Sequence, residues 1–311
     1  MRLLLTGASG FIGTALLQRF IREGWQVDAV RRTPDAPDTH GVRWHRCDLW
    51  DETAMQRLLA QTRPTHLVLN AWISTPGVFW SSPDNQRWLD ATTALLHAFG
   101  AQGGRSVLGL GSCAEYDWSA AQFIEGTTAE RPATAYGQAK LVACQRLFTL
   151  ADTYGFRAAW GRIFMPYGAG DAAERLIPSL IRQLVHHEPI ALSAGTQQRD
   201  FIAVDDVAEA VARLLRREAS GVFNLGTGVA TSLRDLAGMI AQQLDGFAPL
   251  AAGAHHQQWL QWGALPERAE PPVLVADISK LRQQLGWQPE ISLKAGLTPL
   301  ITAALATPNT R

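Results

Sequence analysis

Two side chains four residues apart, Tyr136 and Lys140, have the types and spacing of an acid/base pair. On a helix, such positions lie on one face, one turn apart. In a partly desolvated cleft, an ammonium and a positively charged nicotinamide ring can together lower the pKa of a phenol until it exchanges protons near neutral pH. We therefore expect Tyr136 and Lys140 to act together on an alcohol or ketone. The spacing alone also fits an ordinary pair on a helix surface.

A third polar group is expected at the tip of a strand, where the run Leu110-Gly111-Ser112 leaves an apolar segment. Because the carboxyl ends of parallel strands face the ligand crevice, Ser112 can donate a hydrogen bond to the substrate oxygen that Tyr136 protonates. Stabilisation of a turn is the other interpretation of Ser112. The adjacent Cys113 is a less suitable proton carrier, since no His–Asp partner suggests a thiolate nucleophile.

The chain begins with an apolar strand that runs into a G-x-x-G-x-x-G sequence and then into a helix. Gly7 permits a tight turn, Gly10 lets the backbone approach a pyrophosphate, and Gly13 permits close packing of helix on strand. A glycine-rich turn without a ligand is the alternative. We predict a dinucleotide held by Gly7, Ser9, Gly10, Phe11, Ile12, Gly13, Asn70, Ala71, Tyr136, Lys140 and Ile163.

The second strand decides which dinucleotide is bound, because its tip meets the ribose 2′ position. An acidic residue there would favour NAD, whereas this chain has Arg31 and Arg32, whose guanidiniums suit a 2′-phosphate. We predict NADP(H) over NAD(H); a solvated basic loop is the other interpretation. Asp28 lies inside the strand, three residues before the tip. Asp48 and Leu49, after the third strand, are expected to flank the adenine.

Short apolar runs alternate with helical patterns over the first two thirds of the chain. This order predicts an α/β fold, a Rossmann-type doubly wound parallel sheet, with a smaller, discontinuous C-terminal substrate domain. We expect the dinucleotide-binding domain at 1–165 plus about 201–226, and the substrate domain at about 166–200 plus 227–311. The predicted strands lie near 2–5, 26–31, 42–47, 66–70, 106–111, 157–163 and 222–225. The predicted helices begin near Ile12 and cover 52–61, 85–100, 136–154, 173–186, 205–216 and 233–244.

The amino-acid composition limits the classes of partner that the protein can be expected to bind. Acidic and basic residues both number 28, so nothing in the net charge favours nucleic acid or an anionic membrane. No apolar stretch is long enough to span a bilayer. The three cysteines are far apart, which argues against disulfides or structural zinc and predicts no metal site and a cytoplasmic location. Several of the eleven tryptophans cluster between Trp72 and Trp88. Two interpretations fit this cluster: the rings pack in the core, or they line the mouth of a pocket.

The ordered motifs resemble the extended short-chain dehydrogenase/reductase family, in its nucleotide-sugar epimerase, dehydratase and reductase branch. The resemblance covers nearly the whole chain. It is carried by the glycine run, Ser112, the Tyr136–Lys140 pair, Arg162-Ile163-Phe164-Met165-Pro166-Tyr167-Gly168, Arg199-Asp200-Phe201-Ile202-Ala203-Val204-Asp205-Asp206, Phe223-Asn224-Leu225-Gly226-Thr227-Gly228 and Leu285-Gly286-Trp287-Gln288-Pro289.

The resemblance implies a nucleoside-diphosphate sugar as substrate and a homodimer that pairs helices 85–100 and 136–154. Arg199 and Arg268 would reach the diphosphate or nucleoside, because the guanidinium fork suits phosphate oxygens. The alternative is that both are ordinary arginines on the protein surface. Ser112, Cys113 and Met165 would contact the sugar. Members of the family often have Asn at the position of Met165, so the pose of the sugar is expected to differ here.

The resemblance also implies the reaction. The 4,6-dehydratases carry an Asp-Glu pair where this chain has Cys113 and Ala114, so elimination of water would lack its acid and base. We therefore predict NADPH-dependent reduction of a 4-keto, commonly 6-deoxy, nucleotide sugar. The alternative is a nucleotide-sugar 4-epimerase with bound NAD. A dinucleotide-sensing regulator without catalysis is more distant, because Ser112, Tyr136 and Lys140 are intact.

Overall fold

The computed structural model describes residues 1–32, 41–120, 122–267 and 270–307. The strands are β1 (Arg2–Leu5), β2 (Gln26–Arg31), β3 (Val42–Arg46), β4 (His66–Leu69), β5 (Ser106–Ser112), β6 (Arg157–Ile163), β7 (Met165–Tyr167), β8 (Ile190–Leu192), β9 (Gln198–Arg199), β10 (Phe201–Ala203), β11 (Gly221–Leu225), β12 (Thr231–Ser232), β13 (Leu260–Trp262) and β14 (Val273–Leu274). The helices are α1 (Phe11–Arg22), α2 (Glu52–Thr62), α3 (Asp84–Ala101), α4 (Ala135–Tyr154), α5 (Leu176–Val185), α6 (Val204–Arg216), α7 (Leu233–Phe247), α8 (Ser279–Leu285) and α9 (Leu293–Ala306).

Seven parallel strands form the central sheet, in the order β11-β6-β5-β4-β1-β2-β3. Successive side chains of a strand point to opposite faces, so Leu3 and Leu5 join the core under α1 and α6, while Leu4 joins the core under α2, α3 and α4. The strand order reverses between β1 and β4, which is where sheets of this kind bind ligands. The arrangement confirms the predicted doubly wound α/β fold.

In helix α1, the buried apolar residues recur at the spacing of one helical turn. Leu16 and Phe20 are buried against the sheet, and Arg19 and Arg22 lie in the last turn. Gly24 then adopts a φ of +74°, which is costly for other residues and reverses the chain into β2.

The chain after β6 builds a second, smaller core from α5, α7 and α9, with Leu180, Ile240 and Leu297 at its centre. Three small sheets accompany it: β7 with β10, β8 with β13, and β9 between β12 and β14. Between these segments, α6 packs beside α1 and β11 pairs with β6 at the edge of the central sheet. The chain therefore leaves the first core and returns to it at α6 and β11. It leaves again for α7 and returns once more at α8, where Leu281 and Trp287 are buried in the first core before α9 begins.

The central strands lie within one residue of the predicted positions, and β5 extends one residue further, to Ser112. Helix α5 is shorter than predicted because it begins at Leu176, after Arg175 in an extended conformation. The three cysteines are buried and unpaired. Within the described ranges, no helix is long and apolar enough to cross a bilayer, and no three His, Cys, Asp or Glu side chains are grouped to hold a metal ion.

Candidate active site

The glycine turn is fastened to the end of β4 by side-chain hydrogen bonds. The Thr6 hydroxyl donates to the carbonyl of Val68 and accepts from the amides of Asn70 and Ala71, at 3.1, 3.0 and 3.1 Å. The Asn70 side-chain amide donates to the carbonyl of Gly7 at 2.8 Å. These bonds fix the carboxyl ends of β1 and β4, between which the strand order reverses.

Two glycines of the turn are required by close backbone contacts. Gly7 has a φ of +63°, and a Cβ there would lie 2.8 Å from the backbone of Ala71. A Cβ on Gly13 would lie 2.0 Å from the carbonyl oxygen of Gly7. Gly10 stands before the first turn of α1 with no side-chain cap, so the first amides of that helix remain available to an anion.

A cleft of about 470 Å³ runs from this turn to α4 and separates the two cores. Its walls contain most of the predicted cofactor residues: Gly7, Ser9, Gly10, Phe11, Ile12, Arg31, Arg32, Leu49, Asn70, Ala71, Tyr136, Lys140 and Ile163. Gly13 lies behind the turn and acts through packing. Asp48 was also predicted but does not line the cleft: it is exposed, and its carboxylate accepts from the amide of Trp50. Its neighbour Cys47 lines the cleft.

At one end of the cleft, the tip of β2 carries positive charge. The buried carboxylate of Asp28 accepts from Arg43 at 2.8 Å and contacts a ring nitrogen of His45 at 2.7 Å. The guanidinium of Arg31 lies 5.0 Å from the ring of Trp44, and that of Arg32 lies 5.9 Å from the ring of Trp50. Both arginines face the cleft. This end is therefore built to receive an anion.

At the other end, Ser112 and Tyr136 come together. Ser112 is the last residue of β5, Tyr136 is in the first turn of α4, and their side chains are close enough to interact. Burial raises the pKa of Tyr136, and the nearby Glu115 raises it further, whereas Ser112 and Arg175 oppose the rise. Tyr136 is thus a neutral phenol, in the protonation state of an acid.

Lys140 lies one turn below Tyr136, but its ammonium is turned towards the sheet. Its Nζ donates to the carbonyl of Leu110 at 2.8 Å and lies 4.0 Å from the ring of Trp72, compared with 6.0 Å from the ring of Tyr136. Burial lowers the pKa of Lys140 to about 7, although Glu115 acts in the opposite direction. In the protein alone, desolvation dominates at both groups, so the predicted lowering of the Tyr136 pKa by Lys140 and a nicotinamide ring together stays a prediction.

A buried ion pair supports the tip of β5. The Glu115 carboxylate accepts from the amide of Ser112 at 2.8 Å, from Nε1 of Trp160 and from Nε of Arg162 at 2.7 Å. Arg162 in turn pairs with Glu130 at 2.7 Å. Glu115 therefore fixes the backbone that carries Ser112, a role that its place in the sequence did not reveal.

The predicted substrate residues are more dispersed. Cys113 is buried behind Ser112, and burial raises the pKa of its thiol to about 12. Met165 starts β7, and its amide donates to the carbonyl of Asp200. Arg199 is buried and outside the cleft; it donates to the carbonyls of Gln198 and Pro271 and pairs with Glu270 at 3.0 Å. Arg268 lies outside the described residues, so the roles of both arginines stay predictions.

The cleft also contains residues that the motifs did not indicate. Trp72 and Ser74, from the segment after β4, line it, as does Arg175 just before α5. The Arg175 guanidinium donates to the carbonyl of Ser74 at 3.3 Å and lies 5.5 Å from the ring of Phe79. The tryptophan cluster was a signal for Trp72. No sequence motif indicated Arg175, because its place in the cleft depends on how the second core packs against the first.

A second cavity, of about 590 Å³, lies behind the loop 168–171, between α5 and α9. Its walls are mostly apolar and include neither the glycine turn nor Ser112, Tyr136 or Lys140. Because catalysis needs those groups, we assign the candidate site to the cleft rather than to this cavity.

The sheet order, the glycine turn at the switch point and the Ser112, Tyr136 and Lys140 group define the extended short-chain dehydrogenase/reductase class, whose members use a nicotinamide dinucleotide. The NAD dependent epimerase/dehydratase family model matches residues 3–226, so the chain belongs to that family.

Similar proteins act on nucleotide sugars. The UDP-glucuronate 4-epimerase of Thermodesulfobacterium geofontis is 24% identical, over 94% of this chain and 93% of that protein. MoeE5 in complex with UDP-glucuronic acid and NAD is 28% identical, with a TM-score of 0.81, over 97% of this chain and 98% of that one. The Thermus thermophilus UDP-glucose 4-epimerase complex with NAD shares the fold at a TM-score of 0.84 and 23% identity, over 98% and 99% of the two chains.

Proposed function

We propose that this enzyme interconverts epimers at C4 of a nucleoside-diphosphate sugar through a transient 4-ketone. The observation that carries the proposal is that Tyr136, with Ser112 close to it, lines one end of a cleft together with Lys140, while the glycine turn lines the other end. The sequence led us to predict reduction. We place epimerisation first because the UDP-glucuronate 4-epimerase resembles this chain over nearly its whole length.

The cleft fits a dinucleotide, because Gly7 and Gly13 leave the first amides of α1 open where a Cβ would collide with backbone. A bound nicotinamide ring supplies the hydride acceptor and donor and, when oxidised, a positive charge beside Tyr136. With positive charge from Lys140 and an oxidised nicotinamide ring, Tyr136 would ionise and accept the proton of the 4-hydroxyl as the C4 hydride leaves. It would return that proton to the ketone oxygen when hydride returns to the opposite face of C4. Ser112 donates a hydrogen bond to that oxygen, and Lys140 supplies positive charge beneath Tyr136.

We propose NADP(H) as the preferred cofactor. Arg31 and Arg32 lie at the end of the cleft where the 2′-phosphate would lie, and the carboxylate of Asp28 is held by Arg43 and His45. These contacts leave Asp28 unable to accept a hydrogen bond from a 2′-hydroxyl. NAD(H) is the alternative, since MoeE5 is described with NAD.

Reduction of a 4-keto, 6-deoxy nucleotide sugar is the second candidate, and the arginines at the tip of β2 favour it, because an exchangeable NADPH suits a net reduction. Elimination of water from the sugar, the dehydratase reaction, is disfavoured whether the enzyme is an epimerase or a reductase. Cys113 and Ala114 offer no carboxyl after Ser112, and the next residue, Glu115, is buried in its pair with Arg162.

We propose that the segments 166–200 and 227–311 bind the nucleoside-diphosphate sugar, while 1–165 and 201–226 bind the dinucleotide. Arg175 adds a guanidinium to the cleft between the two cores and suits a diphosphate. Arg199 and Arg268 remain proposed contacts to the diphosphate or nucleoside, and Cys113 and Met165 to the sugar.

A homodimer through α3 and α4, in the cytoplasm, is also proposed. The two helices pack together and leave a shallow outer groove lined by Asp90, Ala94, His97 and Arg146. Three buried free thiols suit a reducing compartment. Light scattering should give twice the chain mass at micromolar concentration, and a monomer there would contradict the dimer.

One experiment separates the two reactions. Purified enzyme is incubated with UDP-, dTDP-, GDP- and CDP-linked hexoses and their 4-keto-6-deoxy forms, with and without NADPH, and the sugars are analysed by NMR. Epimerisation predicts conversion of the 4-hydroxyl configuration with no net NADPH oxidation. Reduction predicts one NADPH oxidised per ketone consumed. Failure of both across the panel would overturn the proposal.

A further inference from the structure

A buried amide in the first turn of α3 bonds to three parts of the segment that lines the cleft. The Asn85 side-chain nitrogen donates to the carbonyls of Phe79 and Ser82, at 2.8 and 2.9 Å. Its oxygen accepts from Nε1 of Trp72 at 2.9 Å. Asn85 is 2% exposed, so these bonds have no competition from bulk water.

The first branch from Asn85 leads to Lys140. The Trp72 ring lies 4.0 Å from the ammonium of Lys140, on the cleft side of that group, and the ring is held by the bond from its Nε1 to Asn85. The face of an indole attracts a cation, and the attraction is stronger in a desolvated site. Trp72 and the carbonyl of Leu110 are thus the two contacts that fix Nζ.

The second branch leads to Tyr136. The bonds from Asn85 hold Phe79 and Ser82 on either side of Trp80, whose carbonyl accepts from the amide of Tyr136 at 3.1 Å. That amide is in the first turn of α4, where it has no partner within the helix. The rings of Phe79 and Trp80 meet the Tyr136 ring edge-on, with centroids 4.9 and 5.8 Å away.

We propose that Asn85 is a positioning residue that fixes both Lys140 and Tyr136, by holding Trp72 against the ammonium and Trp80 against the first turn of α4. The inference rests on the proposed function of those two side chains. It adds that their geometry is set by an amide that touches neither of them.

Charged groups near Lys140 must be considered in any test that follows its titration. Glu115, after β5, acts on Lys140 through its charge and is itself paired with Arg162. Tyr136, on the same helix, is a neutral phenol. Substitutions at Trp72 and Asn85 leave all three groups in place, so a change in the titration of Lys140 would report the loss of the ring contact.

The chain has only three lysines, Lys140, Lys280 and Lys294, so lysine labelled with ¹³C at Cε gives three NMR signals. Lys280 and Lys294 serve as internal references. Trp72→Leu removes the aromatic face and should lower the titration midpoint of Lys140 by about one pH unit. Asn85→Ala should lower it by a smaller amount, and Trp72→Phe, which keeps a ring without the N–H, should lie between wild type and Trp72→Leu.

Turnover gives the second readout. Asn85→Ala should lower kcat at least about tenfold with KM within about threefold, because misplaced catalytic groups lose rate rather than binding. Gln86→Ala, which removes the neighbouring exposed amide on α3, should leave both constants and the titration unchanged.

A Lys140 midpoint that stays at the wild-type value in both Trp72→Leu and Asn85→Ala would overturn the inference. If Asn85→Ala fails to fold, the two Trp72 variants decide the matter alone. The NMR titration needs no substrate, so a shifted midpoint in an enzyme that converts no nucleotide sugar would contradict the proposed function and leave the arrangement standing.

Discussion

The two ends of the cleft are built by different means. At the glycine turn, backbone packs against backbone, and a Cβ on Gly13 would lie 2.0 Å from the carbonyl oxygen of Gly7. At the other end, Ser112, Tyr136 and Lys140 act through their side chains. Neighbouring side chains set the positions and the protonation states of these groups. The first end therefore depends on the absence of side chains, whereas the second depends on a network of them. Substitutions at the two ends should fail in different ways.

The largest effect is expected at the catalytic end. Tyr136→Phe removes the hydroxyl that exchanges the proton, and kcat should fall about a thousandfold while cofactor binding stays close to wild type. Tyr154→Phe is the matched control, because Tyr154 is at the far end of the same helix and partly exposed. Steady-state kinetics and cofactor fluorescence measure both. A Tyr136→Phe enzyme with wild-type turnover would remove Tyr136 from the mechanism.

The turn should respond with loss of stability and of cofactor binding together. Gly13→Ala forces a methyl group into the backbone of Gly7 and should lower the free energy of unfolding by about 3 kcal/mol. Gly246→Ala, in α7 with nothing within 4 Å of its Cβ, should change it by less than about 1 kcal/mol. Urea denaturation compares the two variants. Equal effects would mean that close packing does not constrain the turn.

The titration of Lys140 offers a sharper test of the side-chain end. Its folded pKa of about 7 lies below the unfolded value, so between the two values the unfolded chain binds more protons and stability rises with pH. Wild type should gain about 2 kcal/mol relative to Lys140→Met between about pH 7.5 and pH 9. The cysteine thiols titrate near this range only in the unfolded chain, and their contribution is the same in both proteins and cancels in the difference. Parallel pH curves would show that Lys140 is not desolvated.

The smallest effect concerns the cofactor. Replacing both Arg31 and Arg32 with alanine should weaken NADPH binding about tenfold and leave NADH binding within about threefold, since NADH has no 2′-phosphate for the guanidiniums to bind. Arg46→Ala is the control, because Arg46 is exposed on the neighbouring strand and does not line the cleft. Fluorescence titration gives both dissociation constants. An unchanged ratio of NADPH to NADH affinity would overturn the assignment of the arginines.

The sequence predicted the backbone-built end well, because strand, turn and helix signals are local. The glycine spacing, the strands and the convergence of Ser112 with Tyr136 followed from patterns within short segments. The burial of Lys140, and with it the direction of both pKa shifts, did not follow. Trp72 covers the ammonium and Glu115 acts on it through its charge, both from distant segments, and nothing in the Tyr136–Lys140 spacing reports either effect.

Long-range side-chain pairs were missed for the same reason. The role of Arg199 at a diphosphate stays a prediction, but its bonds to Gln198, Pro271 and Glu270 were not foreseen. Asn85 carries no motif, although its three hydrogen bonds connect the segment after β4 to both catalytic side chains. Such roles depend on packing between elements far apart in the chain.

The most direct test of the account follows a label at C4. Enzyme with bound cofactor is mixed with UDP-glucose and UDP-glucuronic acid deuterated at C4, and both the nicotinamide and the sugar are analysed by mass spectrometry. The account predicts that deuterium moves between C4 and the nicotinamide in the wild type, and that Tyr136→Phe abolishes this transfer while still binding both ligands. Bound sugar that keeps all its deuterium on C4 in the wild type would contradict it.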